Sequence, residues 1–207
     1  MTRIITIVSS VGVAAVLATS PLVAREAGRA GVSPAWTIDR AHSRITFTVT
    51  KWGFAEVEGR FLDFTGELFY NPSHVDQSRV SWRVPIASVE TGEPNRDKSL
   101  LAPEYFDASR FPAMTFESSS ARPAGEDAFD LTGTLTIRGV AKPLTTRVRS
   151  LGLHDAPGEG TFRTFQTEFV VDRYDFQIVG GSILGPAISR DVHVKVIAAA
   201  RAPGQGR

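Results

Sequence analysis

The chain has 207 residues, of which 42% are hydrophobic, 9% aromatic and 22% charged, with 18 Gly and 12 Pro. That mix suits one globular domain with a sizeable core and excludes a disordered or collagen-like chain. With 23 Lys and Arg against 22 Asp and Glu there is no basic field to attract nucleic acid, and the absence of Cys removes thiol nucleophiles, disulfides, iron–sulfur clusters and Cys-ligated zinc.

At the N-terminus a single charge, Arg3, precedes an uncharged stretch whose most apolar part runs from Ile4 to Ala18 and ends in Thr19-Ser20-Pro21 before Leu22-Val23-Ala24. This is the pattern of a secretory signal peptide, with cleavage expected after Ala24. Ile4 to Ala18 falls short of the ~20 apolar residues that a spanning helix needs. Removing 1–24 leaves 22 charges of each sign, and the expected location of the mature protein is the periplasm. Residues 25–35 are small, charged or turn-forming and read as a flexible leader. The domain is expected over 36–199, followed by a disordered tail at 200–207.

From Trp36 onward the apolar residues recur mostly at every second position, the spacing of strands with one buried face. Ile45, Phe47 and Val49 alternate with Thr46, Thr48 and Thr50; Phe64, Gly66, Leu68 and Tyr70 form a second run, ending at Asn71-Pro72-Ser73. Val80, Trp82, Val84 and Ile86 follow, with Pro85 marking an edge or a bulge. Further on, Leu131, Gly133, Leu135 and Ile137 alternate with polar residues, as do Val192, Val194 and Val196, with weaker strands at 114–119, 144–151 and 161–171. Between Glu90 and Phe111 the spacing changes: Leu100, Leu101, Tyr105 and Phe106 fit one or two short helices, the second starting at Pro103. About eight strands in a meander predict a mainly β protein, an antiparallel lipocalin-like barrel with short helices over it. Its interior could hold side chains alone or one elongated ligand.

Chemistry-bearing residues are sparse. His74, His154 and His193 read as surface histidines with no metal pair. Asp39 and His42 could orient one another in a hydrolase, but a turn closed by Asp39 needs no chemistry. Gly180-Gly181-Ser182-Ile183-Leu184-Gly185 lacks the Lys-Ser/Thr ending of a phosphate loop, and Asp172 and Asp175 beside Arg173 read as a solvated salt-bridge cluster. The aromatic load, 13 Phe, 3 Trp and 3 Tyr, either fills a core or lines a cavity for a long apolar molecule. At ~0.8 kcal/mol per buried methylene, a tail of some tens of carbons would supply ample affinity.

The order of motifs resembles the YceI-like family over about Trp36 to Ala198. The pieces are Trp36-Thr-Ile-Asp39-Arg-Ala-His42-Ser43 with Phe47, Val57-Glu-Gly59-Arg-Phe61, Phe64-Thr-Gly66, Ile86-Ala-Ser88-Val-Glu-Thr91-Gly92, Arg96-Asp97-Lys98, Phe106-Asp107, Phe111-Pro112, Phe116, and Leu131 through Lys142-Pro143. The resemblance implies an exported, non-catalytic barrel whose hydrophobic tunnel takes a polyisoprenoid lipid or a quinone. Lys51 and Ser99 stand where the family often has His, and Gln177 where Gly is common. On this reading Phe47, Val49, Phe64, Trp82, Val84, Phe116, Leu135 and Phe169 line the tunnel and Leu100, Leu101 and Phe106 form its lid. Arg96, Lys98 and Arg173 attract a head group, and the bound lipid is the ligand, with no cofactor or metal. Roles in transport, storage or stress-related sequestration are open, as are transient membrane contact for lipid exchange and a homodimer. The alternative is an envelope interaction or stress protein whose barrel is filled by its own side chains.

Overall fold

The computed structural model describes residues 35–203. The signal peptide expected at 1–24, the leader expected at 25–35 except for Ala35, and the last four residues of the expected tail lie outside them. Ten strands form one antiparallel sheet: β1 (Thr37–Lys51), β2 (Ala55–Phe61), β3 (Thr65–Phe69), β4 (Arg79–Pro85), β5 (Val89–Glu90), β6 (Ala113–Pro123), β7 (Ala128–Ile137), β8 (Val140–Ala156), β9 (Gly160–Asp172) and β10 (Asp191–Arg201). Their spatial order is β3-β4-β6-β7-β8-β9-β10-β1-β2-β5. The sheet curls until its β3 edge returns to the start of β1, where the Trp36 N–H donates to Leu68 O at 2.7 Å. The other edge, β5, is only two residues long and leaves little to recruit a foreign strand.

This is the lipocalin-like architecture that the alternation predicts, with ten strands in place of about eight. The two additions have physical reasons for being hard to see. β5 is too short to show a period. β2 has Gly59 at its central inward position, between Val57 and Phe61, so its apolar alternation is interrupted. Pro85 ends β4 opposite Ala113, the last pair of that ladder, where its missing N–H interrupts nothing further. The 90–111 segment holds one α-helix, α1 (Pro94–Leu100), with Pro94 in its first turn and the Glu93 carboxylate accepting from the Asn95 and Arg96 N–H groups. Pro103 opens no second helix. It lies in a run of turns closed by Phe106 N–H to Leu100 O and Ala108 N–H to Leu101 O, both 3.0 Å.

The barrel is solid at one end only. There Trp36, Tyr70, Phe129 and Phe165 stack edge to face, with Tyr70 and Phe165 ring centroids 4.9 Å apart and Phe129 and Phe165 6.3 Å apart. Ala198 and Ala200 of β10 are small enough to let these rings pack against the strand. Ala200 is 0% exposed and pairs with both Ile38 and Arg163, so β10 continues through Arg201 and the expected boundary at 199 is corrected. Replacing Phe165 with Ala is expected to cost about 3–5 kcal/mol, read as a lower urea midpoint; an unchanged midpoint would remove the plug from the account of stability.

Candidate ligand-binding cavity

Beyond the plug the barrel is hollow. A cavity of about 470 Å³ lies between Leu131, Thr146, Thr167 and Val196 at its floor and α1, Lys51 and Ile188 at its mouth, within the size range of small-molecule sites. A packed-solid interior is therefore excluded. Its walls come from alternate positions of seven strands: β1, β2, β4, β6, β7, β9 and β10, with Leu144 and Thr146 of β8 completing the circuit. Phe47, Val49, Trp82, Val84, Phe116, Leu135 and Phe169 face it from the strands, and Leu100 and Phe106 from the helical segment.

One expected wall residue and one expected lid residue lie elsewhere. Phe64 is 2% exposed but sits between β2 and β3, where the chain crosses from one strand to the next, and its ring meets Trp82 edge to face at 5.4 Å outside the cavity. Leu101 packs with the neighbouring core cluster of Ile45, Phe61 and Ile86, one residue past the end of α1, while Leu100 turns to the cavity. Val57, Val171, Val192, Val194 and Val196 also line the cavity, beyond the expected wall residues. Val171 lies two positions from Phe169 and Val57 four from Phe61, and the other three are the alternating run of β10, so the period-two rule already contains them.

The mouth is built from polar clasps. In the Thr91…Arg96-Asp97 motif, Asp97 accepts from the Thr91 N–H and hydroxyl, and Arg96 donates from Nε to Thr91 Oγ1 and from Nη2 to Thr91 O, both at 2.8 Å. These bonds fasten α1 to the end of β5. Arg96 lines the cavity with part of its guanidinium so engaged; Lys98 is exposed on α1 and does not reach the cavity, which corrects its head-group assignment. Lys51, at the end of β1, does line it, and its Nζ stands 4.2 Å over the Trp52 ring.

Arg173 borders the cavity but is 5% exposed, and its donors are spent on backbone: Ser189 O at 2.9 Å, Ile178 O at 2.6 Å, Gly185 O at 2.6 Å and Ile188 O at 3.0 Å. It is the hub that folds the 172–191 segment over the mouth, with four of its five N–H groups engaged by these carbonyls. Asp172 pairs with Arg190 and Asp175 with Lys142, as surface salt bridges. Replacing Arg173 with Met would strip four carbonyls of the guanidinium, Gly185 O keeping only the Ile188 N–H, and is expected to destabilise the protein by about 3 kcal/mol or more. A melting temperature equal to that of the parent would return Arg173 to the list of free cations.

The Asp39–His42 pair lies at the plugged end, away from the cavity. β1 bulges between Asp39 and Arg44, and the motif pins the bulge: Asp39 accepts from the Ala41 N–H at 2.9 Å and from His42 Nδ1 at 3.0 Å, while Ser43 Oγ donates to Asp39 O at 2.6 Å. The hydrogen bond that His42 donates to Asp39, with the carboxylate's charge, raises the His42 pKa above its ordinary 6.5. Burial pushes the Asp39 carboxyl up, but the bonds from His42 and from the Ala41 N–H outweigh it and hold the pKa below 3.8. The His42 contribution is thus complete below pH 6.5 and lost as pH rises through its raised value; that of Asp39 is present above pH 3.8 and lost as pH falls through its lowered value. A proton NMR titration should place His42 above 6.5, and Asp39→Asn should return it toward 6.5; the same value in both proteins would break the pairing.

Residues 36–200 match the family model of the YceI-like domain. Protein YceI of Salmonella arizonae is 32% identical over 158 residues, 75% of this chain and 81% of that protein. Among solved structures, BcnA of Burkholderia cenocepacia superposes with a TM-score of 0.72 at 25% identity, covering 79% of this chain and 99% of that one. A polyisoprenoid binding domain from Saccharophagus degradans gives a TM-score of 0.65 at 18% identity, covering 82% and 99%, a likeness of fold.

Proposed function

Given that the chain belongs to the YceI-like family, we propose that it is an exported, non-catalytic binding protein that holds a polyisoprenoid or isoprenoid-quinone lipid in its cavity, for transport, storage or sequestration in the periplasm. The observation that carries this reading is the hollow itself: about 470 Å³, walled by aliphatic and aromatic side chains, blind at one end and polar only at its mouth and at the Thr115, Thr146 and Thr167 hydroxyls. A tail entering from the mouth would leave its head beside Lys51 and Arg96. Each methylene removed from water contributes ~0.8 kcal/mol, so tail burial alone accounts for firm binding. The polyisoprenoid binding domain of Saccharophagus degradans, alike in fold, supports the same ligand class, and the apolar stretch of 1–24 supports export.

The non-catalytic part rests on how the polar wall groups are engaged. Glu93 accepts from two backbone N–H groups, Arg96 donates to Thr91 and Arg173 donates to four carbonyls. None of the three forms a nucleophile with a base, and holding a lipid asks for no cofactor.

Exchange with a membrane is supported by two greasy tips at the mouth. Trp52 and Phe54, on the β1–β2 turn, are 59% and 79% exposed, and Ile183, before the turn at Gly185–Ala187, is 87% exposed. The two segments are tied together by the Trp52 N–H to Ala187 O and the Ser189 N–H to Thr50 O, each 2.7 Å.

Solvent extraction of natively expressed protein, followed by mass spectrometry, should release an isoprenoid lipid. Val194→Trp, which fills the cavity from β10, should release at least tenfold less while remaining folded. An empty parent protein, or an equally loaded Val194→Trp variant, would overturn the reading.

A further inference from the structure

Three of the rings that line the cavity lie flat on its wall, and each does so over a glycine of an adjacent strand. Phe47 of β1 covers its register partner Gly59 of β2, and Trp82 of β4 covers its partner Gly66 of β3. Phe116 of β6 lies over Gly133 of β7, the diagonal neighbour of its partner Leu135. A Cβ at Gly133 would collide with the backbone oxygen of Glu117 as well as with Phe116 Cζ at 2.6 Å, and one at Gly66 would stand 2.8 Å from Ser81 O. At those two positions glycine serves the backbone in addition to the ring.

Gly59 is different. Its φ is not in the left-handed region, so the backbone there tolerates a side chain. The three atoms nearest to an added Cβ all belong to the Phe47 ring: Cζ, which it would overlap, then Cε1 at 2.7 Å and Cε2 at 2.9 Å. A methyl at residue 59 would therefore meet the ring first, at all three of its nearest contacts. The sheet blocks retreat toward the wall and Phe61 stands 5.6 Å away on one side, so the ring swings into the lumen, which it lines.

We propose that Gly59 sets the bore of the cavity by letting Phe47 lie flat, and that this width is what admits a methyl-branched isoprenoid chain in addition to a thinner straight alkyl chain. The inference rests on the lipid-binding reading above and assigns the ligand class within it. A chain with a methyl on every fourth carbon is thicker than polymethylene, and one displaced ring is enough to separate the two, because a single methyl-sized misfit in an apolar pocket alters affinity by roughly 10–200-fold.

The test uses purified full-length protein and two radiolabelled alcohols, geranylgeraniol and hexadecanol, with binding followed by gel filtration. The parent should bind both. Gly59→Ala should bind geranylgeraniol at least tenfold more weakly and hexadecanol within about twofold of the parent. Gly59→Ala with Phe47→Leu, which removes the displaced ring, should restore geranylgeraniol binding. A parent that binds neither alcohol overturns the lipid-binding reading and the inference with it. A parent that binds both, with Gly59→Ala weakening the two alcohols equally or neither, overturns the inference alone. Should Gly59→Ala fail to fold, Phe47→Leu on its own decides: it should favour geranylgeraniol over hexadecanol relative to the parent, and an unchanged ratio refutes the gauge.

Discussion

An apolar hollow is a burden that the rest of the barrel has to carry. A void in a packed core costs ~24 cal/mol per Å³, and the apolar depth of a cavity of about 470 Å³ forfeits packing contacts in the same way. Water relieves little of this, because a buried water needs two to four polar partners and the walls provide only scattered hydroxyls. The architecture answers by concentrating its packing. The Trp36, Tyr70, Phe129 and Phe165 rings close one end, and a second cluster around Ile45, Phe61, Phe64 and Ile86 thickens one wall. The same arithmetic makes an occupant of the hollow a stabilising component of the fold, so that binding and stability are two readings of one contact surface.

Period-two spacing carried most of this in the sequence, because a strand with one buried face writes its inward residues at every second position. Phe47 and Val49, Trp82 and Val84, and Leu135 were legible for that reason. Phe64 shares the parity of Leu68 and is buried, yet it precedes β3 and faces away from the cavity; parity distinguishes inside from outside but does not tell a lining position from a packed crossing. The β2 strand was hidden by Gly59, the residue that makes room for Phe47. A glycine needed for the bore thus erased the hydrophobic signal of its own strand. Arg173 was misjudged for a reason of another kind. A guanidinium beside Asp172 and Asp175 looks like part of a solvated salt-bridge cluster, and only the folded path of 172–191 brings four carbonyls within its reach.

The polar motifs that carry the family resemblance are structural. Asp39, His42 and Ser43 pin a bulge, and Thr91, Arg96 and Asp97 clasp α1 to the sheet. The Arg138-Gly139 pair makes the β7–β8 hairpin, with φ of +51° and +74°, the left-handed pair that a two-residue turn of matching twist requires. Gln177, standing where Gly is common in the family, also has a left-handed φ of +59°, the conformation glycine adopts at least cost. The other two departures, Lys51 and Ser99, both line the cavity. The named motifs build the frame, while Lys51 and Ser99 stand at the mouth, where the head of the proposed lipid would rest.

The lipid exchange proposed above would open the barrel at that same end. The plug is held by interlocking rings, whose separation would expose large apolar area at once. The mouth is held by discrete polar straps: Arg96 to Thr91 on one side, Arg173 within the 172–191 segment on the other, and Arg138 across them, donating to Pro103 O at 2.7 Å and to Gln177 O. A hydrogen bond traded for one to water costs ~1 kcal/mol, so the straps can release one at a time while the plug holds the barrel intact. A cavity sealed by rings at its floor and tied by arginines at its mouth gives a guest a single way in and out, and gives the protein a way to exchange it without unfolding.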